Sequence, residues 1–153
     1  MNQSIVVIGS SNIDMIAQVS HFPKPGETVG DATYSQAYGG KGANQAVAAA
    51  RAGGQVTFIS SVGNDLFGKT MLSNFSDEGM NTDYITQSDQ YPSGTALILV
   101  NREGENCIAV APGANGQLSP QLIDQARIAI SGAEIILLQL EIPLETVAYV
   151  VEL

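Results

Sequence analysis

Apolar residues fall in short unbroken runs that alternate with stretches of helical spacing, and this alternation predicts an α/β chain. Ser4–Ile8 is apolar and β-branched, the pattern of a strand buried on both faces. Ile13–Val19 either extends that strand or begins another. Phe22-Pro23-Lys24-Pro25-Gly26 is a turn-rich break. Residues 28–38, with Val29, Thr33, Tyr34 and Tyr38 among small polar neighbours, read as a weakly buried strand. Lys41–Ala52 is the strongest helix, closed by Gly53-Gly54. Val56–Ser61 follows as a buried strand, and Leu66–Asp77 as a second helix ending near Gly79. Three further strands are predicted at 84–86, 95–100 and 106–110, the last two joined by Asn101-Arg102-Glu103-Gly104-Glu105. Ser119-Pro120 has the form of a cap and first helical position, and Ile123, Ala126, Arg127 and Ile130 continue that helix to Gly132. Residues 134–140 read as another strand, and Pro143 opens a last helix that meets no stop signal before Leu153. Buried strands alternating with helices predict a parallel sheet covered by helices. With few core strands and an uncapped last helix, the expectation is a truncated domain.

Composition narrows the partners. The chain has 153 residues, enough for one domain, and is 44% hydrophobic, which excludes global disorder. Fifteen acidic against six basic residues give a formal charge of −9. A nucleic-acid surface or an anionic membrane would need clustered Lys and Arg, so neither is expected. No segment approaches the ~18 consecutive apolar residues of a membrane span. Met1-Asn2-Gln3-Ser4 lacks the basic start of a signal peptide. Cys107 is the only cysteine and His21 the only histidine, which leaves no basis for a disulfide framework, a triad or a multi-histidine metal site. In its apolar run, Cys107 reads as a small buried thiol rather than a nucleophile. A reduced, cytoplasmic setting fits these features.

The chemistry concentrates in Gly39-Gly40-Lys41-Gly42-Ala43-Asn44-Gln45, which runs straight into an alanine-rich helix. Glycines permit close backbone approach, and the first N–H groups of a helix lack intrahelical partners. Lys41 adds a positive charge and Asn44 an amide, so the loop suits a small oxygen-rich molecule; a structural turn before a buried helix is the alternative. The spacing is neither that of a P-loop nor that of a dinucleotide fingerprint, since Gly42 follows Lys41 and a single glycine, Gly9, follows the first strand. Ligands in open α/β sheets gather beyond the carboxyl ends of strands. Asn12 and Asp14 fall there after the first strand, and Glu141 after the 134–140 strand. Carboxylates and amides on such a rim suit the hydroxyls of a neutral sugar. Asp14 as an exposed turn residue, and Glu141 as a favourable charge before the last helix, are the other readings.

These segments resemble the ribokinase-like sugar kinases. The resemblance rests on the glycine run with Ala46-Val47-Ala48-Ala49 and Gly53, on Val62-Gly63-Asn64-Asp65-Leu66-Phe67-Gly68, and on Gly9-Ser10-Ser11-Asn12-Ile13-Asp14. Pro25-Gly26-Glu27-Thr28, Pro112-Gly113-Ala114-Asn115 and Gln139-Leu140-Glu141 continue it, so that it runs from about residue 4 to the end of the chain. It implies that residues 1–153 form the N-terminal part of a three-layer α/β/α domain. A small β-sheet lid would be built from strands near 13–19, 28–38 and 95–110. It further implies an ATP-dependent kinase acting on the 5-hydroxyl of D-ribose, with deoxyribose, a nucleoside or another furanose as alternative substrates. Asn12, Asp14, Gly40, Lys41, Asn44 and Glu141 would hold the sugar, with Ala96 and Ile98 as apolar lid contacts. ATP, Mg2+ and a monovalent cation such as K+ are the implied cofactors, and a homodimer through the lid the implied assembly. The family's catalytic base and anion hole belong to a Gly-Ala-Gly-Asp motif that does not occur in these 153 residues. No catalytic residue and no metal ligand is therefore assigned within them, and a non-catalytic fragment that binds sugar or self-associates is the competing expectation.

Overall fold

The computed structural model describes residues 3–153, so Met1 and Asn2 of the polar lead-in lie outside the described residues. Two four-stranded sheets organise the chain. The first joins β1 (Ser4–Ile8), β4 (Gln55–Gly63), β5 (Ile85–Ser88) and β8 (Ile135–Leu138) in the order β5-β4-β1-β8, all parallel. Its uninterrupted apolar runs follow from burial on both faces. Val7, Val56, Phe58 and Val62 project to one side, where α1 (Lys41–Arg51) and α2 (Leu66–Asp77) contribute Ala43, Ala46, Met71 and Phe75. Phe58 and Phe75 meet edge to face there, with ring centroids 5.2 Å apart. Val6, Ile8 and Ile59 project to the other side, against α3 (Pro120–Gln125), α4 (Arg127–Ser131) and α5 (Leu144–Glu152), which supply Ile123, Ile130 and Val150, with Ala126 at the junction of α3 and α4. The result is the expected three-layer α/β/α arrangement. No helix among the described residues is long and apolar enough to cross a membrane.

The second sheet has the order β3-β2-β6-β7. Its strands β2 (Asn12–Gln18) and β6 (Gly94–Val100) run parallel, with β3 (Thr33–Gly39) and β7 (Asn106–Ala111) antiparallel at the edges. Residues 13–19 therefore start a new strand in a different sheet rather than extending β1.

Four expectations need correction. The strand expected over 28–38 begins only at Thr33, because its partner β2 ends at Gln18 and the Gln18–Thr33 pair is the last rung. The helix expected from Pro120 to Gly132 is two short helices. At Ala126 the N–H bonds three residues back, to Ile123 at 2.9 Å, and the turn tightens there. The strand expected over 134–140 stops at Leu138, where β1, its partner, has also ended. Cys107 is exposed rather than buried, because β7 is an edge strand whose six residues all face solvent.

Asp65 ties the two sheets together. Its Oδ1 caps α2 by accepting from Gly68 N at 2.8 Å, and it also accepts from Ser93 Oγ at 2.7 Å, while Oδ2 accepts from Ser93 N at 2.8 Å. Ser93 Oγ in turn accepts from Gly63 N at 3.0 Å. The segment entering β6 is thus bolted to the end of β4 and the start of α2. Partial burial opposes ionisation of Asp65, but these hydrogen bonds prevail and hold its carboxyl below the ordinary aspartate value.

Candidate functional site

Where β1 ends, Gly9-Ser10-Ser11 carries the chain from the core sheet into the second sheet, and the N-terminus of α1 packs against this link. Gly40 precedes the helix at φ 91°, a left-handed conformation that favours glycine, and a Cβ there would lie 2.8 Å from Ser10 O. Gly42 is closer still, since a Cβ would stand 2.6 Å from Gly9 C and Ser10 N. The glycines are there for this contact.

The resulting cavity, about 240 Å³, lies between the core sheet's carboxyl edge and one face of the second sheet. Every residue singled out from the sequence lines it. Asn12 and Asp14 come from β2, Gly40, Lys41 and Asn44 from the start of α1, Glu141 from the segment beyond β8, and Ala96 and Ile98 from β6. Ile108 and Val110 of β7 also line it and were not anticipated. Their alternation with Cys107 and Ala109 marks them as one face of a strand, but which face meets the cavity is decided by pairing with β6. A roomier hollow of about 460 Å³ between α1 and α2 contains the Arg51–Glu78 ion pair, whose charges offset each other.

Hydrogen bonds define what each side chain can offer. Lys41 Nζ forms an ion pair with Glu141 Oε1, while Glu141 Oε2 accepts from Lys41 N at 2.9 Å and from Ser10 Oγ at 2.8 Å. Burial alone would raise the Glu141 carboxyl. The Lys41 backbone N–H, the Lys41 ammonium and the Ser10 hydroxyl outweigh it and hold the group below the ordinary glutamate value. Asp14 has no such donors among the described residues. Burial, assisted by the nearby Glu141 charge, pushes its carboxyl above the ordinary aspartate range.

The first N–H groups of α1 are not free for a ligand, contrary to the expectation from the glycine run. Lys41 N is taken by Glu141, Gly42 N faces Ser10 Oγ at 3.4 Å, and Ala43 N donates to Ser10 O at 2.8 Å. The link after β1 comes close enough to satisfy them, which no local reading could anticipate. Ser10 and Asn115 are the polar residues that sequence reasoning left without a role. Both belong to motifs that carried the resemblance, Gly9-Ser10-Ser11 and Pro112-Gly113-Ala114-Asn115, but their partners lie far away in sequence.

Comparison with known proteins places this geometry. The model of the pfkB family carbohydrate kinases matches residues 2–152. The chain is 46% identical to the ribokinase of Haemophilus influenzae over 147 residues, covering 96% of this chain and 48% of that protein. It is 41% identical to the deoxyribokinase of Salmonella typhi, covering 97% and 48%. Among solved structures, the ribokinase of Arabidopsis thaliana complexed with ribose and ATP superposes with a TM-score of 0.81 at 32% identity, covering 98% of this chain and 50% of that one. The chain thus spans about half the length of these relatives. On its sequence and on its fold together, the chain belongs to the pfkB family of carbohydrate kinases, which are phosphotransferases.

Proposed function

We propose that this chain carries the sugar-binding side of a kinase that phosphorylates D-ribose at its 5-hydroxyl, with ATP as phosphoryl donor. The observation that carries this reading is the convergence of Asn12, Asp14, Gly40, Lys41, Asn44 and Glu141 on one cavity whose opposite wall is apolar. Carboxylates that accept and amides that donate match the hydroxyls of a pentose, while Ala96, Ile98 and the β7 residues cover its carbon face. The second sheet acts as the lid. The two ribokinases, one of them complexed with ribose and ATP, support ribose over other furanoses; the deoxyribokinase keeps 2-deoxyribose in the test.

Magnesium is implied by the family, but the described residues do not fit it. No group of three His, Cys, Asp or Glu side chains converges among them, and Glu141 at the cavity is already engaged by Lys41 and Ser10. No step is routed through the ion here. The work of these residues is to bind and orient the sugar.

Titration calorimetry of the chain with D-ribose, 2-deoxy-D-ribose and a panel of furanoses tests the reading. D-ribose should bind, and Asp14→Ala should weaken it roughly tenfold or more, since losing a charge-assisted hydrogen bond costs about 1.5–3 kcal/mol. Absence of heat with every pentose, or unchanged affinity in the variant, would sink the assignment. The same residue makes a stability prediction. The folded state raises the Asp14 carboxyl, so its ionised form works against folding at every pH above that raised value. Asp14→Asn should therefore melt higher than the parent at pH 7. The gain should shrink as pH falls through the raised value, and vanish below the ordinary value of 3.8. A lower melting temperature at pH 7 would contradict this.

Self-association is part of the proposal. The lid exposes Leu97 of the inner strand β6 and, toward the cavity side, Ile108 and Val110 of β7, whose outer edge is unpaired among the described residues. Sedimentation should show a dimer or larger species forming as concentration rises. A well-folded monomer across a wide concentration range speaks against it.

A further inference from the structure

The 3₁₀ turn at Gly113–Gln117 follows directly on β7 and buries Asn115 to 2% exposure. Its carboxamide clasps the backbone of the neighbouring link on both sides. Oδ1 accepts from Ser11 N at 2.9 Å, and Nδ2 donates to Ser11 O at 3.0 Å. A peptide N–H can only donate and a peptide carbonyl can only accept, so this clasp sets which end of the Asn115 amide is oxygen. The second hydrogen of Nδ2 goes to Asn12 Oδ1 at 2.7 Å. That contact engages the Asn12 oxygen, whereas Asn12 Nδ2 has no partner among the described residues, and Asn12 lines the cavity. Gly94 makes room for the pair: a Cβ there would collide with both Asn115 Nδ2 and Asn12 Oδ1.

We propose that Asn115 is a positioning residue that fixes Asn12 as a donor into the sugar site, so that Asn12 and Asp14 together select a hydroxyl. The proposal rests on the sugar-site reading above. A hydroxyl can accept from Asn12 and donate to Asp14 at once, whereas a deoxy position does neither and leaves both groups unpaired. The orientation is inherited from a backbone amide and does not depend on the sugar. Asn115→Asp reverses it. A carboxylate can keep the bond from Ser11 N, but its other oxygen then faces two acceptors, Ser11 O and Asn12 Oδ1. The backbone carbonyl is fixed, whereas the Asn12 amide can turn to offer Nδ2, which sends its Oδ1 toward the cavity. Asn12 and Asp14 would then present two acceptors to a hydroxyl with one proton.

The test uses the 153-residue chain labelled with ¹⁵N at asparagine, followed by side-chain amide exchange and by calorimetry with D-ribose. Without sugar, the Asn115 amide protons should exchange at least about tenfold more slowly than those of Asn12, because the former are buried and bonded. Saturating D-ribose should then slow Asn12 and leave Asn115 unchanged. Asn115→Asp should lower D-ribose affinity roughly tenfold or more, and should add no loss in an Asn12→Ala background, since it acts through Asn12. Equal exchange at the two side chains overturns the proposal, and so do losses that simply add. If Asn115→Asp does not fold, the exchange comparison in the unsubstituted chain still decides the orientation. Exchange as expected together with no D-ribose binding would sink the sugar-site reading and leave the orientation standing.

Discussion

Given ATP and D-ribose, the purified 153-residue chain should form no ribose 5-phosphate above background. The cavity presents two carboxylates. Glu141 is held ionised by Lys41 and Ser10, with its carboxyl below the ordinary value, which makes it a weak base. Asp14 is the more basic of the pair, but the proposed function uses it to hold sugar hydroxyls. The helix N–H groups that could have stabilised a transferring phosphoryl group are already bonded to Glu141 and Ser10. A positioned base typically contributes ~10²–10⁴-fold and an anion hole a further ~10²–10³-fold. Phosphoryl transfer depends almost wholly on such positioning and charge stabilisation. Product formed by this chain and abolished by Asp14→Ala would overturn the expectation and place the base at Asp14.

Gly42→Ala should have a large effect for a single added methyl group. Two effects oppose each other. Alanine in place of glycine favours a helix by about 1 kcal/mol, and Gly42 lies in the first turn of α1. Against this, the new methyl would stand 2.6 Å from Gly9 C and Ser10 N, which are backbone atoms that cannot swing aside. Overpacking of that kind costs roughly 1–3 kcal/mol, and the clash should win. The structure can relieve it only by moving α1 away from the link after β1. That separates Lys41 and Asn44 from Asn12 and Asp14, and a misplacement of about 1 Å can cost on the order of 10²-fold in a positioned site. We expect a lower melting temperature and a loss of D-ribose affinity of roughly tenfold or more. A variant that melts at or above the parent and binds ribose unchanged would show that the helix does not have to sit this close.

Features set by local chemistry were legible in the sequence. β1 and α2 begin and end where periodicity and flanking residues put them, and α1 differs by one residue at its end. Segments whose limits depend on a partner were less legible. The start of β3 and the end of β8 are set by where β2 and β1 stop, and nothing in residues 28–32 or 139–140 records that. Cys107 sits in an apolar run that resembles a buried strand, but the run forms an exposed edge strand of the second sheet, and nothing in its composition records that position. The candidate site divides in the same way. Its lining came from strand ends and a glycine run, both visible locally. The groups that orient the lining, Ser10 and Asn115, are small polar residues whose meaning depends on partners more than a hundred residues away.

The bond between Ser10 and Glu141 spans 131 positions, those between Asn115 and Ser11 span 104, and Lys41 meets Glu141 across 100. β1 sits in the middle of its sheet but pairs only with strands that come much later, β4 and β8. Loops of this length must close before their contacts contribute, which slows folding relative to a chain built from neighbouring pairings. During synthesis the first strand emerges with neither neighbour, and its edges wait for β4 and then for β8. The cavity therefore cannot be an early nucleus. Glu141 reaches Ser10 only after β8 has docked beside β1, so the rim of the site closes later than the glycine turn forms, and a chain ending before Leu138 would keep that turn but lose the carboxylate that holds it.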